Sequence, residues 1–508
     1  MENSNILTPP EDRHSLLLEH YQAGRYDVAK KLAFSTTQEF PHYQFGWDIL
    51  GATLNQLCKY NEALNAFRES VKLAPQDSSA HYNCGLVLVR LRKFEESKFF
   101  FEQALLLEPS YVQALVSLAD TLKILGKIEE AKDSYTKAIE INPDTFIAYN
   151  NLGILLKEQG KVGEAESSFR SAIMIEPRYA EAHANLGVIF KDLGRVDEAE
   201  ASLTHAVNLD PGFAVAFHNL GLLLIDSGRY QEAETMFRRA LEVDKNHAEA
   251  RYSLGLNLYA LRKYDEAIEQ FKLSKFSDSE SQLLRCLYLK NEQRLFLEQL
   301  DYLIDKGEIN SIIGSISSRA ASKYKTNKIN VFCQSPFDYV SKIDLKEKYD
   351  FEKIFLNTTK FILNKDKVQF RSQHLLTNGK QTTGNLFVSE PTITKEIQKI
   401  IRIEVEEYRA KYDSSKDGFL LNWPANYSIF GWLVSMKSGG SLKPHMHERG
   451  WISGSLYLNV PPKNGEDSGS LVVCIEDDSS LISDSTNPKT VIDVNTGDLV
   501  LFPSSLHH

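Results

Sequence analysis

Histidines near the end of the chain offer the clearest chemistry in this sequence. Four of the thirteen histidines fall within the last 64 residues, as His445-Met-His447 and as His507-His508. Side chains at i and i+2 of a β-strand project to the same face, so His445 and His447 are predicted to act as paired metal ligands. One of the two terminal histidines, at the end of a later strand-like segment, would complete the site.

Short apolar segments separated by turn residues surround these histidines and predict an antiparallel barrel or jelly roll. The predicted strands cover 427–436, a strand that starts at PHMH (444–447), and then 451–460, 469–476, 490–494 and 499–502, with a turn at Ser438-Gly-Gly440. A helix is predicted over Thr394–Lys411.

The segment 451–460 alternates between two kinds of side chain. Trp451, Ser453 and Tyr457 fall on one face, which is predicted to line a pocket. The other face carries Ile452, Leu456 and Leu458, and it is predicted to pack against the core.

A 34-residue repeat fills the first half of the chain. Proline recurs at 41, 75, 109, 143, 177 and 211, and glycine recurs at 51, 85, 153, 187, 221 and 255. Each unit predicts two amphipathic helices, such as 148–158 and 162–174, with Gly153 at a close helix approach and Gly160 ending the first helix. Such units bury their apolar faces by stacking, so an α-solenoid is predicted.

One polar position recurs within the repeat, two residues before the glycine of the first helix. It holds Asn83, Asn151, Asn185 and Asn219. A row of asparagines along an inner groove can hold the N–H and C=O groups of an extended peptide. The alternative is that these side chains cap or bridge neighbouring helices, and the sequence leaves both interpretations open.

Composition limits the function classes. The 508 residues are too many for one ordinary domain, and the net charge of −10 argues against general nucleic-acid binding or an anionic membrane surface. The five cysteines are scattered without a Cys-x-x-Cys pair, and the N-terminus lacks a signal-peptide pattern. We therefore expect a cytoplasmic protein with reduced thiols, no nucleic acid partner and no membrane partner.

The repeat resembles the tetratricopeptide repeat, with good matches at Trp47-Asp-Ile-Leu-Gly51 and Tyr60-Asn-Glu-Ala63. About eight copies fit residues 10–280. Residues 281–326 keep a helical periodicity without the repeat and are predicted to form a helical cap or linker, and residues 327–508 are predicted to form the second domain.

The segments PHMHERGWISGSLYLNVP, SGSLVV and TGDLVLFPSSLHH look like the 2-oxoglutarate- and Fe(II)-dependent oxygenases built on the double-stranded β-helix. The resemblance implies Fe(II) as cofactor, 2-oxoglutarate as co-substrate, and His445 and His447 as ligands. In that family the distal histidine lies six residues after the phenylalanine of Phe-Pro, which indicates His508, with His507 as the alternative.

The shared face of the 451–460 segment gives three residues candidate roles in the pocket, with a core or structural role as the alternative for each. Ser453 and Tyr457 are expected to bind the co-substrate, and Trp451 is expected to contact the substrate or partner.

Two departures from the family stand out. The second ligand of the pair is usually Asp or Glu, whereas this chain has His447, and the adjacent Glu448 would point away on a strand. The family's last strand, which carries an arginine or lysine for the far carboxylate of 2-oxoglutarate, is not in this sequence. Arg371 and Arg449 are the alternative anchors. The predicted fold class is therefore α + β multidomain, a solenoid followed by a jelly roll that lacks its last strand.

Two functional hypotheses follow from these features. In the first, the chain is an oxygenase (hydroxylase) whose solenoid recruits a protein or peptide and presents it to the barrel. In the second, the chain is a non-catalytic scaffold for protein–protein interaction with a degenerate or truncated oxygenase domain. Metal content and co-substrate turnover distinguish the two.

Overall fold

The computed structural model describes residues 9, 11–276, 278–325, 330–364, 370–371, 376–382, 385–443, 445–447, 450–462, 469–475 and 488–508. For residues 370, 371, 438 and 439 the description is confined to the backbone. The chain divides into two compact units, residues 1–185 and residues 186–508. Each unit is described by itself below.

The N-terminal part is a solenoid of helical repeats. Its helices, two to a repeat, are α1 Glu11–Gln22, α2 Tyr26–Glu39, α3 Gln44–Gln56, α4 Tyr60–Leu73, α5 Ser78–Arg90, α6 Phe94–Leu107, α7 Val112–Ile124, α8 Ile128–Ile141, α9 Phe146–Glu158, α10 Val162–Ile175, α11 Ala180–Asp192, α12 Val196–Leu209, α13 Ala214–Asp226, α14 Tyr230–Val243, α15 Ala248–Ala260 and α16 Tyr264–Ser274. The helices predicted at 148–158 and 162–174 are confirmed as α9 and α10.

A glycine-to-ring contact joins the two helices of a repeat. A Cβ on Gly153 would lie 2.7 Å from the ring of Phe169, which is fully buried sixteen residues later on α10. The same spacing pairs Gly51 with Phe67, Gly85 with Phe101, Gly187 with Leu203, Gly221 with Phe237 and Gly255 with Phe271. The recurring glycine is therefore a packing requirement, because it lets the backbone of the first helix touch a large side chain of the second.

The turn within a repeat depends on a left-handed residue. Gly160, which follows α9, has φ of +75°, and its N–H donates to the carbonyl of Lys157. Glycine accepts this conformation without the steric cost that a Cβ imposes, so it ends the helix as predicted.

Three further helices follow the repeats: α17 Ser279–Leu289, α18 Gln293–Asp305 and α19 Ser311–Tyr324. Asn330 then donates to the carbonyl of Gly314 on α19, and a Cβ on Gly314 would lie 2.8 Å from Phe332. Phe332 also belongs to the apolar core of the C-terminal region, so it packs against both elements.

The C-terminal region holds small antiparallel sheets, consistent with a partial jelly roll. Its helical segments are a 3-10 turn Pro336–Tyr339, a π-helical turn Glu352–Leu356, α20 Asn357–Leu363, α21 Leu386–Ser389, α22 Lys395–Lys411 and α23 Gly418–Leu421. Its strands are β1 Ser341–Asp344, β2 Phe370–Arg371, β3 Leu376–Thr382, β4 Val434–Leu442, β5 Ile452–Leu456, β6 Leu471–Cys474, β7 Lys489–Ile492 and β8 Asp498–Pro503. They pair in the orders β1-β8-β5, β2-β3-β4 and β6-β7.

Strand β8 is the centre of this region, because all six of its residues are buried. Its two faces contribute to different apolar clusters. Leu499 and Leu501 pack with Phe332 and α22, whereas Val500 and Phe502 pack with β6 and Leu506. This burial on both faces explains the continuous apolar run that predicted the strand.

The strand predicted at 427–436 is wrong in its position. Residues 427–433 have no regular structure, and β4 runs through Ser438-Gly-Gly440, which was predicted as a turn. The reason is the pairing of β4 with β3, in which Leu376 lies opposite Leu442. A Cβ on Gly440 would lie 3.0 Å from the carbonyl oxygen of Thr377, so the glycine serves a close strand contact.

The strand predicted to start at PHMH is also not formed. Residues 445–447 have no regular secondary structure, and Pro444 lies outside the described residues. The reason is that, among the described residues of this segment, His445 alone pairs with a distant segment, at His508. The carbonyl of His447 accepts instead from the nearby N–H of Gly450, so no ladder continues.

Glycine substitutions test the packing of the repeat. Gly153→Ala places a methyl group against Phe169, whereas Gly163→Ala adds one on the exposed face of α10 with no heavy atom within 4 Å. Gly153→Ala, inside α9, gains about 1 kcal/mol of helix propensity, and Gly163→Ala, in the first turn of α10, gains less. Overpacking should leave Gly153→Ala less stable than Gly163→Ala by about 1–3 kcal/mol in urea unfolding followed by circular dichroism. Equal stabilities would contradict the contact.

Candidate metal centre

Reciprocal backbone hydrogen bonds bring the two histidine segments together. The N–H of His445 donates to the carbonyl of His508 at 3.2 Å, and the N–H of His508 donates to the carbonyl of His445 at 3.0 Å. The segment after β8 is further held by the N–H of Leu506, which donates to Pro503 at 3.0 Å. Residues 63 positions apart in sequence therefore become neighbours.

Three imidazoles converge at this junction. His445, His447 and His508 each offer a ring nitrogen, and these nitrogens all lie within 4.8 Å of one another. The ring centroids of His445 and His508 are 4.4 Å apart, and those of His447 and His508 are 4.9 Å apart. The structure thus brings together the pair and the distal histidine that the sequence indicated.

One buried serine hydroxyl contacts His447, and a second serine contacts that hydroxyl. The hydroxyl of Ser453, which is buried on β5, lies 3.4 Å from Nδ1 of His447 and 2.9 Å from the hydroxyl of Ser504. Gly450 leaves room for this contact, since a Cβ there would lie 2.6 Å from the Ser504 hydroxyl. With Nδ1 engaged, Nε2 is the nitrogen of His447 that can face a metal.

Burial keeps these imidazoles neutral. Desolvation lowers the pKa of His445, lowers the pKa of His447 to about 4, and lowers the pKa of His508 to about 2. The neighbouring imidazoles depress the pKa values of His447 and His508 further. Neutral imidazole is the form that binds a metal ion, so the site needs no deprotonation at neutral pH.

His507, the alternative distal ligand, lies elsewhere. Its backbone forms a bridge with Cys474, in which N–H and C=O groups are exchanged at 2.8 and 2.9 Å. It is buried but does not belong to the cluster of three imidazoles. Adjacent residues of an extended segment point to opposite sides, and this separates His507 from His508.

The donor set fits a metal ion with affinity for imidazole. Nε2 of His447 and Nδ1 of His508 are buried without a hydrogen-bond partner, and a buried polar atom in that state carries a free-energy penalty that a bound cation would remove. Three nitrogens on one ion, each at about 2.1 Å, lie about 3.6 Å apart or closer, so the rings would move together by up to about 1 Å on binding. Among the described residues no carboxylate joins the cluster.

Ser453 and Tyr457, the residues predicted to bind the co-substrate, have different surroundings, and co-substrate binding stays a prediction for both. Ser453 contacts His447 and Ser504 and acts on the site through them. Tyr457 lies four residues further along the chain, about 13 Å away on an extended strand, and packs beside Phe502 in an apolar cluster. Burial raises the pKa of Tyr457 to about 12. The alternative anchors fall outside the described residues, both Arg449 and the side chain of Arg371, as does Glu448.

Trp451 occupies a packing position. It precedes β5, so the strand alternation used in the prediction does not extend to it. Its ring contacts Phe332 at a centroid distance of 5.4 Å, and its indole N–H donates to the carbonyl of Phe419. A role in substrate contact stays a prediction.

The recurring asparagines of the repeats are half-buried. Asn151 donates to the carboxylate of Asp120 at 3.0 Å, and Asn185 donates to the side chain of Asn150 at 2.9 Å. These two therefore bridge neighbouring helices, which is the alternative interpretation of the ladder. No side-chain hydrogen bond is recorded for Asn83 or Asn219 in the described part of the chain, and peptide binding stays a prediction for all four.

Sequence reasoning missed two polar groups of interest. Ser504 directly follows β8 and completes the contact with Ser453, but a lone serine carries no signal in sequence. Asp48 on α3 accepts a hydrogen bond from Ser70, and burial raises its pKa to about 6, with Asp77 contributing. Its position, 34 residues before Tyr82, was the available clue.

Family models match both parts of the chain. The model described as "Putative 2OG-Fe(II) oxygenase" matches residues 431–508, and the model described as "Cilia and flagella-associated protein 70 C-terminal domain" matches residues 83–285. No curated protein matched the sequence. The chain therefore combines a tetratricopeptide-like repeat solenoid with a C-terminal 2-oxoglutarate–Fe(II) oxygenase-like domain.

Solved structures with similar folds include three proteins. The chain is 18% identical to the Cut9–Hcn1 hetero-tetramer of the APC/C, with a TM-score of 0.42 and 52% of each chain covered, so it spans about half of that chain. It is 16% identical to a tetratricopeptide repeat protein from Parabacteroides merdae, with a TM-score of 0.41 and coverage of 48% and 98%. It is 23% identical to YrrB, titled a TPR protein with an unusual peptide-binding site, with a TM-score of 0.30 and coverage of 39% and 99%.

Within the described residues, every helix is too short or too polar to span a lipid bilayer.

Serine substitutions test the orientation of His447. Ser453→Ala removes the hydroxyl that contacts His447, whereas Ser504→Ala removes only its buried partner. Each change should cost about 1 kcal/mol of stability, since each leaves one hydroxyl unsatisfied. Only Ser453→Ala should also weaken metal binding, by about 10–100-fold in a metal titration. An equal loss of affinity in both variants would refute the positioning role.

Asp48 predicts a pH dependence of the first unit. A folded-state pKa of about 6, above the ordinary value, means that the folded chain binds the proton more tightly than the unfolded chain. The stabilising contribution is complete at pH values below the ordinary pKa and is lost as the pH rises through about 6. Asp48→Asn should therefore flatten the stability profile between pH 4 and 7 and raise the melting temperature at pH 7. An unchanged profile would contradict the buried carboxylate.

Proposed function

We propose that the protein is a 2-oxoglutarate- and Fe(II)-dependent oxygenase that uses His445, His447 and His508 as iron ligands. The observation that carries the proposal is the convergence of three neutral imidazoles within the segment matched by the oxygenase model. Imidazole nitrogens suit ferrous iron, and the three ligands found among the described residues leave coordination positions for a co-substrate and dioxygen. When bound, iron with 2-oxoglutarate and dioxygen supplies the oxidising power for hydroxylation of a C–H bond.

The protein's own residues hold and orient this centre. The hydroxyl of Ser453 lies 3.4 Å from Nδ1 of His447, and the carbonyl of Lys443 lies 3.1 Å from Nδ1 of His445, so both histidines direct Nε2 away from these partners. The ring of Phe502 lies 5.0 Å from that of His508 and limits the access of water to its buried side. Such contacts raise affinity by fixing the rings before the metal binds.

The solenoid is the proposed recruiting element. A protein or peptide held in its groove would raise the effective concentration of a side chain near an attached catalytic domain. Asn83 and Asn219 are the ladder positions that support this role, because no side-chain hydrogen bond is recorded for them in the described residues. The proposal places the protein in a reducing, cytoplasmic setting, which its five cysteines favour, since none of them forms a disulfide in the described residues.

Anaerobic addition of Fe(II) and 2-oxoglutarate tests the iron site. We expect a visible charge-transfer band that requires both additions, because the co-substrate chelates the metal. His508→Ala should abolish the band. His507→Leu is the matched control at the neighbouring position, and it should retain the band because His507 pairs with Cys474 outside the cluster.

The opposite pattern would assign the distal ligand to His507. Absence of the band in the unsubstituted protein, with no iron retained, would favour the scaffold function. The observation behind that second function is the lack of a carboxylate among the described ligands, which departs from the two-histidine, one-carboxylate set of these oxygenases.

A further inference from the structure

A second cluster of metal-ligating side chains lies in the repeats, away from the C-terminal histidines. His218 on α13, His247 immediately before α15 and Glu249 in the first turn of α15 each offer one ligand atom, and these atoms lie within 4.8 Å of one another. All three belong to the second compact unit. The imidazole centroids are 5.3 Å apart.

In one other repeat, a pair of tyrosines occupies the position equivalent to these two histidines. His218 and His247 lie 136 residues, or four repeats, after Tyr82 and Tyr111, whose rings pack at 5.0 Å. His218 also contacts Phe237 at 5.8 Å, as Tyr82 contacts Phe101 at 5.7 Å. The site between neighbouring repeats therefore accepts a ring pair, and in this repeat both rings are imidazoles with a carboxylate beside them.

The hydrogen bonds of the two imidazoles leave nitrogens for a cation. Nε2 of His218 contacts the hydroxyl of Ser253 at 3.0 Å, so donation to that hydroxyl would leave the Nδ1 lone pair available. Nε2 of His247 is buried without a hydrogen-bond partner. Metal binding at Nε2 of His247 requires the ring proton to move to Nδ1. Nδ1 then no longer accepts the long 3.4 Å hydrogen bond from the N–H of Ala250.

We propose that His218, His247 and Glu249 form a binding site for a divalent transition metal such as Zn²⁺, with Ser253 orienting His218. Two imidazoles and one carboxylate are a ligand set that Zn²⁺ takes in sites with an open fourth position. The half-buried His247 and the exposed Glu249 leave a path for the ion from solvent. The site is independent of the proposed oxygenase chemistry.

Zinc titration of the full-length protein against a chromophoric chelator tests the site. The double variant His218→Tyr with His247→Tyr rebuilds the ring pair of Tyr82 and Tyr111, so it should fold normally and bind one equivalent of Zn²⁺ fewer than the unsubstituted chain. His247→Gln should weaken that equivalent by at least about 100-fold, and Ser253→Ala by about 10–100-fold. Because the C-terminal histidines are unchanged throughout, the differences report on this cluster alone.

His205→Gln is the control, since His205 lies exposed on α12 and outside the cluster. It should leave the zinc stoichiometry unchanged. Equal zinc uptake by the double variant and the unsubstituted protein would overturn the proposal and identify His218 and His247 as a packing pair only. A loss of the same equivalent in His205→Gln would also overturn it, because it would place the zinc elsewhere.

Discussion

The backbone exchange between His445 and His508 is the contact on which the candidate centre depends. It joins a segment after β4 to the segment after β8, and the imidazoles converge only because these two segments are held side by side. Strand β8 directly precedes the segment that carries His508. Because both faces of β8 are buried, its packing fixes the position at which that segment begins. The three histidines lie outside regular secondary structure, and the buried strand β8 positions one of the two segments that carry them.

The solenoid follows a different constraint, in which local packing repeats at a fixed period. The contact between a glycine and a large side chain sets the distance between the two helices of a repeat. It recurs sixteen residues apart in six repeats, with a phenylalanine ring in five of them and Leu203 in the sixth. Ala119 and Tyr135 take these positions in another repeat, where the tyrosine hydroxyl donates to Asp120. Because this contact maintains the helix packing from repeat to repeat, the residue types at neighbouring positions between repeats can differ.

That freedom explains why polar groups of several kinds occur at equivalent places. Asp48, Tyr82, Asn150 and His218 share one phase of the repeat, and each meets a different set of partners. Burial then changes what each group can do, raising the pKa of Asp48 to about 6 and lowering the pKa of His218 to about 4. A regular scaffold can therefore carry specific chemistry at one repeat without altering its fold.

Much of this architecture was accessible from the sequence alone. The 34-residue period, the helix pairs and the end of α9 at Gly160 were predicted, because helix periodicity and left-handed caps are local properties. The histidines were also identified by type and spacing. The strand at 427–436 and the turn at Ser438-Gly-Gly440 were wrong, since the pairing of β4 with β3 depends on residues about sixty positions away.

The sequence by itself determined the repeat solenoid, the buried strand β8 and the histidines available for a metal. Only the tertiary structure gave His508 and His507 different partners, joined Ser504 to Ser453 and packed Trp451 against Phe332. The physical reason is that strand register and loop closure are set by non-local hydrogen bonds and by the space beside buried side chains. Neither leaves a periodic trace in the sequence.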